Sequence, residues 1–218
     1  MRCNGSTRGN HVIRTCLLAA FLVGSLFAPR ISAQTVDSYR QRAAELSRVK
    51  SWDEAVANYR KALELEPNDA VTHYHLAWAL KYKVETREAL KEFQATLKLR
   101  PRWADAHFGL ASVWFDLQNQ DEAAKELRTA EALDPLNVAT HRLLARILAQ
   151  QNSLAGAERE LKLALRLKPS ANTHLELGVV EGQLGNLNEA AAQFRRAIQL
   201  DSGLAPAHVM LGIVLRRQ

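Results

Sequence analysis

The chain has 218 residues, of which 47% are hydrophobic and 24% charged, and its formal net charge is +6. Four arginines and no acidic residue lie within the first 33 residues, so +6 less these four leaves only +2 for the remainder. This small excess does not indicate nucleic-acid binding, which requires a clustered basic face. Both cysteines, Cys3 and Cys16, also fall in this leader, so the remainder has neither disulfides nor thiol chemistry.

Residues 1–33 have the composition of a secretory signal peptide. Scattered arginines come first, then the apolar run TCLLAAFLVGSLFA at 15–28, then small residues. This order predicts cleavage after Ala33. The run has 14 residues, fewer than the ~20 that a permanent transmembrane helix needs, although an uncleaved leader would still anchor the protein. We therefore expect an exported protein, periplasmic or secreted, with a membrane-anchored form as the alternative.

Beyond the leader, the sequence repeats every 34 residues. The period is marked by prolines at equal spacing, namely Pro67, Pro101, Pro135 and Pro169. The segments that end at these prolines are similar, from YRKALELEP at 59–67 to LKLALRLKP at 161–169. A further unit follows with Ser202 in place of the proline and one residue fewer in the loop after Pro169. Because proline ends a helix and no segment alternates like a half-buried strand, the pattern predicts helix pairs and an all-α fold.

These units resemble the tetratricopeptide repeat, in which a small residue at position 20 and a bulky one at position 24 precede the proline. Position 20 is Ala55, Ala89, Ala123, Ala157 and Ala190, and position 24 is Tyr59, Phe93, Leu127, Leu161 and Phe194. The resemblance implies a right-handed superhelical solenoid of helix-turn-helix repeats. We expect repeats within 34–204, at about 36–69, 70–103, 104–137, 138–170 and 171–204, and a terminal or capping helix at 205–218 that begins a sixth repeat.

The sequence has no motif for catalysis. It contains no glycine-rich phosphate loop, H-E-x-x-H, C-x-x-C or G-x-S-x-G, so we expect neither an enzyme nor a cofactor. Histidines do recur at position 4 of successive units, as His73, His107, His141, His174 and His208. Equivalent positions lie about one helix pair apart, too far for bonds of ~2 Å to a shared metal. We interpret this histidine ladder as packing and predict no metal site.

The free face of the first helices is the predicted interaction surface. At about 100° per residue, positions 4, 7, 8 and 11 share the packed side, and positions 2, 5, 9, 12 and 13 lie roughly opposite. In tetratricopeptide proteins this second set lines the concave groove that binds partner peptides. Its prominent residues here are Tyr74, Trp78, Tyr82, Phe108, Phe115, Arg142 and Arg146. Aromatic residues and arginine often anchor interfaces, so we expect a partner with apolar anchors and at least one acidic group.

Two surfaces allow more than one interpretation. The aromatic residues of the groove could instead fill the gap between adjacent first helices, and Arg142 and Arg146 could form a solvated stripe. Residues 205–218 carry apolar side chains on more than one side, although a terminal repeat should present a polar outer face. This terminal helix therefore belongs to a longer array or is covered by another subunit, which makes self-association one option.

These features predict a non-catalytic protein–protein interaction scaffold or adaptor of the cell envelope. Its expected partners are proteins or peptides and not nucleic acid, and contact with the membrane is expected only if the leader is retained. One alternative is a repeat arm that selects substrates or partners for a larger enzyme, such as a glycosyltransferase. Another is an envelope module that binds glycan or lipid. The fold cannot choose among these functions, because one scaffold serves many.

Overall fold

The computed structural model describes residues 36–218, so the predicted signal peptide and its cleavage site lie outside the described residues. Eleven helices and no strand occur within this range. They are α1 (36–48), α2 (Trp52–Leu65), α3 (Ala70–Tyr82), α4 (Thr86–Leu99), α5 (Ala104–Asp116), α6 (Gln120–Leu133), α7 (Val138–Gln150), α8 (Leu154–Leu167), α9 (Ala171–Leu184), α10 (Leu187–Leu200) and α11 (Ala205–Leu215). The predicted all-α fold is confirmed.

The helices stack as a solenoid with two layers. Each helix packs mainly against its neighbours along the chain, and consecutive first helices also contact each other, α3 with α5 and α5 with α7. The first helices therefore form the inner layer of the superhelix. Alanines at position 20 and bulky residues at position 24 are buried in all five repeats, with at most 3% of any side chain exposed. Small residues let paired helices approach closely, and the larger ones fill the space between successive pairs.

The turn inside each helix pair uses one residue with positive φ. These residues are Lys50, Val84, Gln118 and Asn152, with φ between 59° and 68°, and Gly185 with φ 85°. The loop that joins α8 to α9 spans only residues 168–170, whereas the equivalent loop from α2 to α3 spans 66–69. The residue missing from the sequence is therefore absorbed between repeats, and the pairing of helices within each repeat is preserved.

The histidine ladder links successive repeats through hydrogen bonds. Nδ1 of His73, His107 and His141 lies 2.6, 2.6 and 2.8 Å from a glutamate oxygen on the second helix of its own repeat. Nε2 of the same rings lies 2.9, 3.0 and 2.9 Å from the proline carbonyl that ends the preceding repeat. These contacts hold each of the three rings between the second helix of its own repeat and the end of the preceding repeat. This geometry agrees with a packing role for the ladder.

The terminal helix α11 leaves apolar side chains uncovered. Val209 is 61% exposed and Leu215 is 45% exposed, whereas Val214 is buried against α10. Between residues 36 and 218, no helix combines the length and apolar character needed to cross a membrane.

Candidate functional site

The inner layer holds a cavity of about 430 Å³ between α3, α5, α7 and α9. Six of the predicted groove residues line it, namely Trp78, Tyr82, Phe108, Phe115, Arg142 and Arg146. The seventh, Tyr74, does not line this cavity. Its ring instead stacks on Trp103, with ring centroids 4.6 Å apart. Trp103 lies just before α5, outside the helical register from which the groove was predicted.

Aromatic rings form one wall of this cavity. Trp78 contacts two of these rings, with centroid distances of 5.9 Å to Tyr82 and 6.3 Å to Phe108. The Trp78 ring also packs edge-on against Phe93, which is fully buried, at 5.4 Å. Trp78 is therefore both part of the cavity wall and a contact to the core. Tyr82 differs, because 58% of it is exposed.

Ion pairs between repeats neutralise two of the cations that line the cavity. Lys81 Nζ lies 2.8 Å from Asp116 Oδ2, which joins α3 to α5. Arg142 on α7 donates two hydrogen bonds to Glu176 on α9, of 2.9 Å from Nε and 2.6 Å from Nη2. These bonds to Glu176 raise the pKa of Arg142, although partial burial opposes the shift. Both pairs fix the spacing of neighbouring first helices.

Arg146 remains as a cation without an acidic partner. Its guanidinium lies 4.9 Å from the centroid of the Phe115 ring, and no acidic side chain between residues 36 and 218 pairs with it. The side chain is exposed and borders a second cavity of about 320 Å³. Arg146 therefore presents a positive charge between two concave surfaces, in a geometry that suits a carboxylate ligand.

The second cavity is aliphatic, and the sequence-based prediction did not include it. Leu175 and Val179 on α9 contribute to its wall together with Ala149 on α7. Leu175 and Val179 occupy positions 5 and 9 of the fifth repeat, the same register that placed aromatic residues in the second and third. The prediction of the groove ended at the fourth repeat, and extending that register by one repeat would have identified both residues.

The fold and its concave face define a helical-repeat solenoid. Family models for the tetratricopeptide repeat match residues 74–138, 121–172 and 171–203, and a model named TPR repeat matches 50–82. These matches together run from residue 50 to residue 203, and the chain belongs to the tetratricopeptide repeat family. No curated protein matches the sequence significantly.

Several solved structures share this fold. PilF of Pseudomonas aeruginosa aligns with a TM-score of 0.75 at 21% identity, covering 85% of this chain and 86% of that one. MamA of Desulfovibrio magneticus RS-1 aligns with a TM-score of 0.72 at 22% identity, over 78% and 97% of the two chains. YrrB, a TPR protein with an unusual peptide-binding site, aligns with a TM-score of 0.65 at 24% identity, covering 78% of this chain and 88% of that one. At these identities the likeness establishes the fold.

Proposed function

We propose that this protein is a non-catalytic scaffold or adaptor of the cell envelope that binds segments of partner proteins in its concave groove. The observation that carries the proposal is the unneutralised guanidinium of Arg146, which lies between the aromatic and the aliphatic cavity. Concave, mostly apolar surfaces with a few placed polar groups are typical binding sites. The likeness to YrrB supports a peptide as the ligand.

The chemistry of the groove defines the segment that it would accept. An aromatic or other large apolar side chain would contact Trp78, Phe108 and Phe115, and an aliphatic one would contact Leu175 and Val179. An acidic group between these two anchors would reach Arg146. Among the described residues that line the aromatic cavity, Lys81 and Arg142 already have carboxylate partners, so Arg146 is free to select the acidic group.

Arg146→Glu tests this proposal with little risk to the fold, since the side chain is exposed. The control is Arg159→Glu, which makes the same charge change on the exposed face of α8 in the same repeat. Fluorescence anisotropy against peptides with an acidic residue between two apolar anchors should show at least a tenfold loss of affinity for Arg146→Glu only. Equal affinity of the two variants for every peptide bound by the wild type would refute binding at this groove.

The envelope location rests on residues 1–33 and needs a separate test. An alkaline phosphatase reporter, which is active only after export, should be active when fused behind the full chain and inactive when residues 1–33 are deleted. The mass of the exported protein would then distinguish cleavage after Ala33 from retention as an anchor. Activity that survives the deletion would contradict the predicted signal.

A further inference from the structure

One repeat carries a carboxylate at a position that is otherwise aliphatic. Position 28 of the first, second, fourth and fifth repeats is Leu63, Leu97, Leu165 and Ile198, and in the third repeat it is Glu131. Leu63, Leu97 and Leu165 are partly buried and pack against the core. Glu131 makes no hydrogen bond with any residue of the described range 36–218. Packing therefore does not account for glutamate at this position.

Glu131 lies beside the most buried member of the histidine ladder. His141 is 3% exposed, and its Nδ1 lies 2.8 Å from Glu160 and 3.9 Å from Glu131. One ligand atom from each of the three residues lies within 4.8 Å of the other two. Nε2 of His141 is 2.9 Å from the carbonyl oxygen of Pro135. That second bond fixes the orientation of the ring and directs Nδ1 towards both carboxylates.

We propose that Glu131, His141 and Glu160 bind a divalent first-row transition metal ion such as Zn²⁺. Zinc takes imidazole and carboxylate ligands at about 2.0–2.2 Å, which places tetrahedral ligand atoms roughly 3.3 Å apart. The observed separations of 2.8 and 3.9 Å from Nδ1 bracket this value, and all three ligand atoms lie within 4.8 Å of one another, so rotation of the two carboxylates completes the set. The hydrogen bond from Nε2 to Pro135 matches the backbone carbonyl that commonly orients a metal-bound histidine.

The ligand chemistry defines which ions fit. An imidazole nitrogen favours zinc, nickel or cobalt over calcium and magnesium, which prefer oxygen ligands alone. Three protein ligands leave a fourth tetrahedral position for water or a ligand of another molecule. The sequence-based prediction of no metal concerned an ion shared between ladder histidines, whereas this site uses one histidine and two carboxylates.

The neighbouring repeats provide internal controls. His107 and Glu126 form the same hydrogen bond as His141 and Glu160, but Leu97 stands at the position of Glu131. Glu131→Leu therefore installs the residue that the fold already accommodates elsewhere and should leave the helical content unchanged. Conversely, Leu97→Glu should add a second carboxylate next to His107 and Glu126, which completes a three-ligand set and creates a second site.

Isothermal titration calorimetry of the purified protein with ZnCl₂ tests the proposal, and the visible absorption of bound Co²⁺ gives a second measurement. The wild type should bind one ion at this site, and Glu131→Leu should lose at least about tenfold in affinity, the lower end of the loss for a disturbed metal shell. Leu97→Glu should bind one additional ion. Calcium at the same concentration should not compete.

The proposal is overturned if the wild type does not bind zinc, or if Glu131→Leu binds it as tightly as the wild type. Competition by calcium would also overturn it. Circular dichroism shows whether each variant is folded. If Leu97→Glu does not fold, the comparison of zinc affinity between the wild type and Glu131→Leu still tests the proposed site.

Discussion

Arg142 on α7 holds Glu176 on α9 through two hydrogen bonds of 2.9 and 2.6 Å, and this pair spans the boundary between the fourth and fifth repeats. Both side chains are partly exposed at the border of the groove, at 34% and 26%. Because a forked guanidinium and a carboxylate match in geometry, the pair fixes the distance between these helices. It also neutralises Arg142, whereas the neighbouring Arg146 pairs with no acidic side chain of residues 36–218.

We expect Arg142→Ala to lower the free energy of unfolding by about 1 kcal/mol, because it leaves Glu176 without its partner. A double-mutant cycle with Glu176→Ala should give a coupling energy of roughly 0.5–1 kcal/mol, at the upper end for exposed pairs since the contact is bidentate. Urea unfolding of the four proteins measures this value. A coupling energy of zero would mean that the pair does not fix the boundary between the repeats.

Two glycines at equivalent positions should respond oppositely to alanine. Gly178 and Gly212 are both the eighth residue of a repeat, but a Cβ at Gly178 would lie 2.6 Å from Phe194 Cε1, whereas one at Gly212 would meet nothing within 4 Å. Gly178→Ala should cost about 1–3 kcal/mol through overpacking. Gly212→Ala should gain up to about 1 kcal/mol from helix propensity. Thermal unfolding compares the stability of the two variants with that of the wild type. A loss of stability in both would disprove the difference in packing between the two positions.

Val84 is the β-branched residue among those with positive φ, at 68°, and 79% of it is exposed. A left-handed conformation costs such a residue roughly 1–2 kcal/mol, whereas glycine adopts it freely. Val84→Gly should therefore stabilise the fold by about 1 kcal/mol in chemical denaturation. The reverse change, Gly185→Val, should destabilise it by a similar amount. A stability loss in Val84→Gly would show that side-chain packing at this turn outweighs the backbone strain.

Asp69 should make the free energy of unfolding depend on pH in the acidic range. It caps α3 by accepting from the backbone N–H groups of Val71 and Thr72, each at 3.2 Å, and Arg40 donates to it at 2.7 Å. Burial acts to raise the pKa of Asp69, but the hydrogen bonds from Thr72 and Arg40 outweigh it, so the pKa is lowered.

A carboxyl group with a lowered pKa stabilises the fold above its unfolded pKa of about 3.9, and this contribution is lost as the pH falls through the folded value. Asp69→Asn keeps the cap but not the ionisation. It should be less stable than the wild type at pH 7, and the difference should shrink below pH ~4. Urea titrations at both pH values measure this, and a difference that does not change with pH would contradict the role of the charge.

Much of the groove could be predicted because the register of an amphipathic helix is local. Trp78, Phe108 and Arg146 lie in one cavity as expected from their positions. Tyr74 contacts the Trp78 ring edge-on but does not line the cavity. Trp103 stacks on Tyr74 from a loop, and the helical register contains no information about loops. Trp78 fits both interpretations of the aromatic residues, as a groove wall and as packing between helices, since its ring lines the cavity and also contacts the buried Phe93.

The sequence alone determined the all-α fold, its helix pairs and the shorter loop after Pro169, because the period of 34 residues and the prolines that mark it act through local backbone preferences. Only the tertiary structure decided which charges meet. Glu176 pairs with Arg142 across 34 residues, and Glu131 comes to lie next to His141, because the stacking of one repeat on the next sets these distances. Side-chain partners across a repeat boundary depend on how one repeat is placed on the next, and no local sequence pattern encodes that placement.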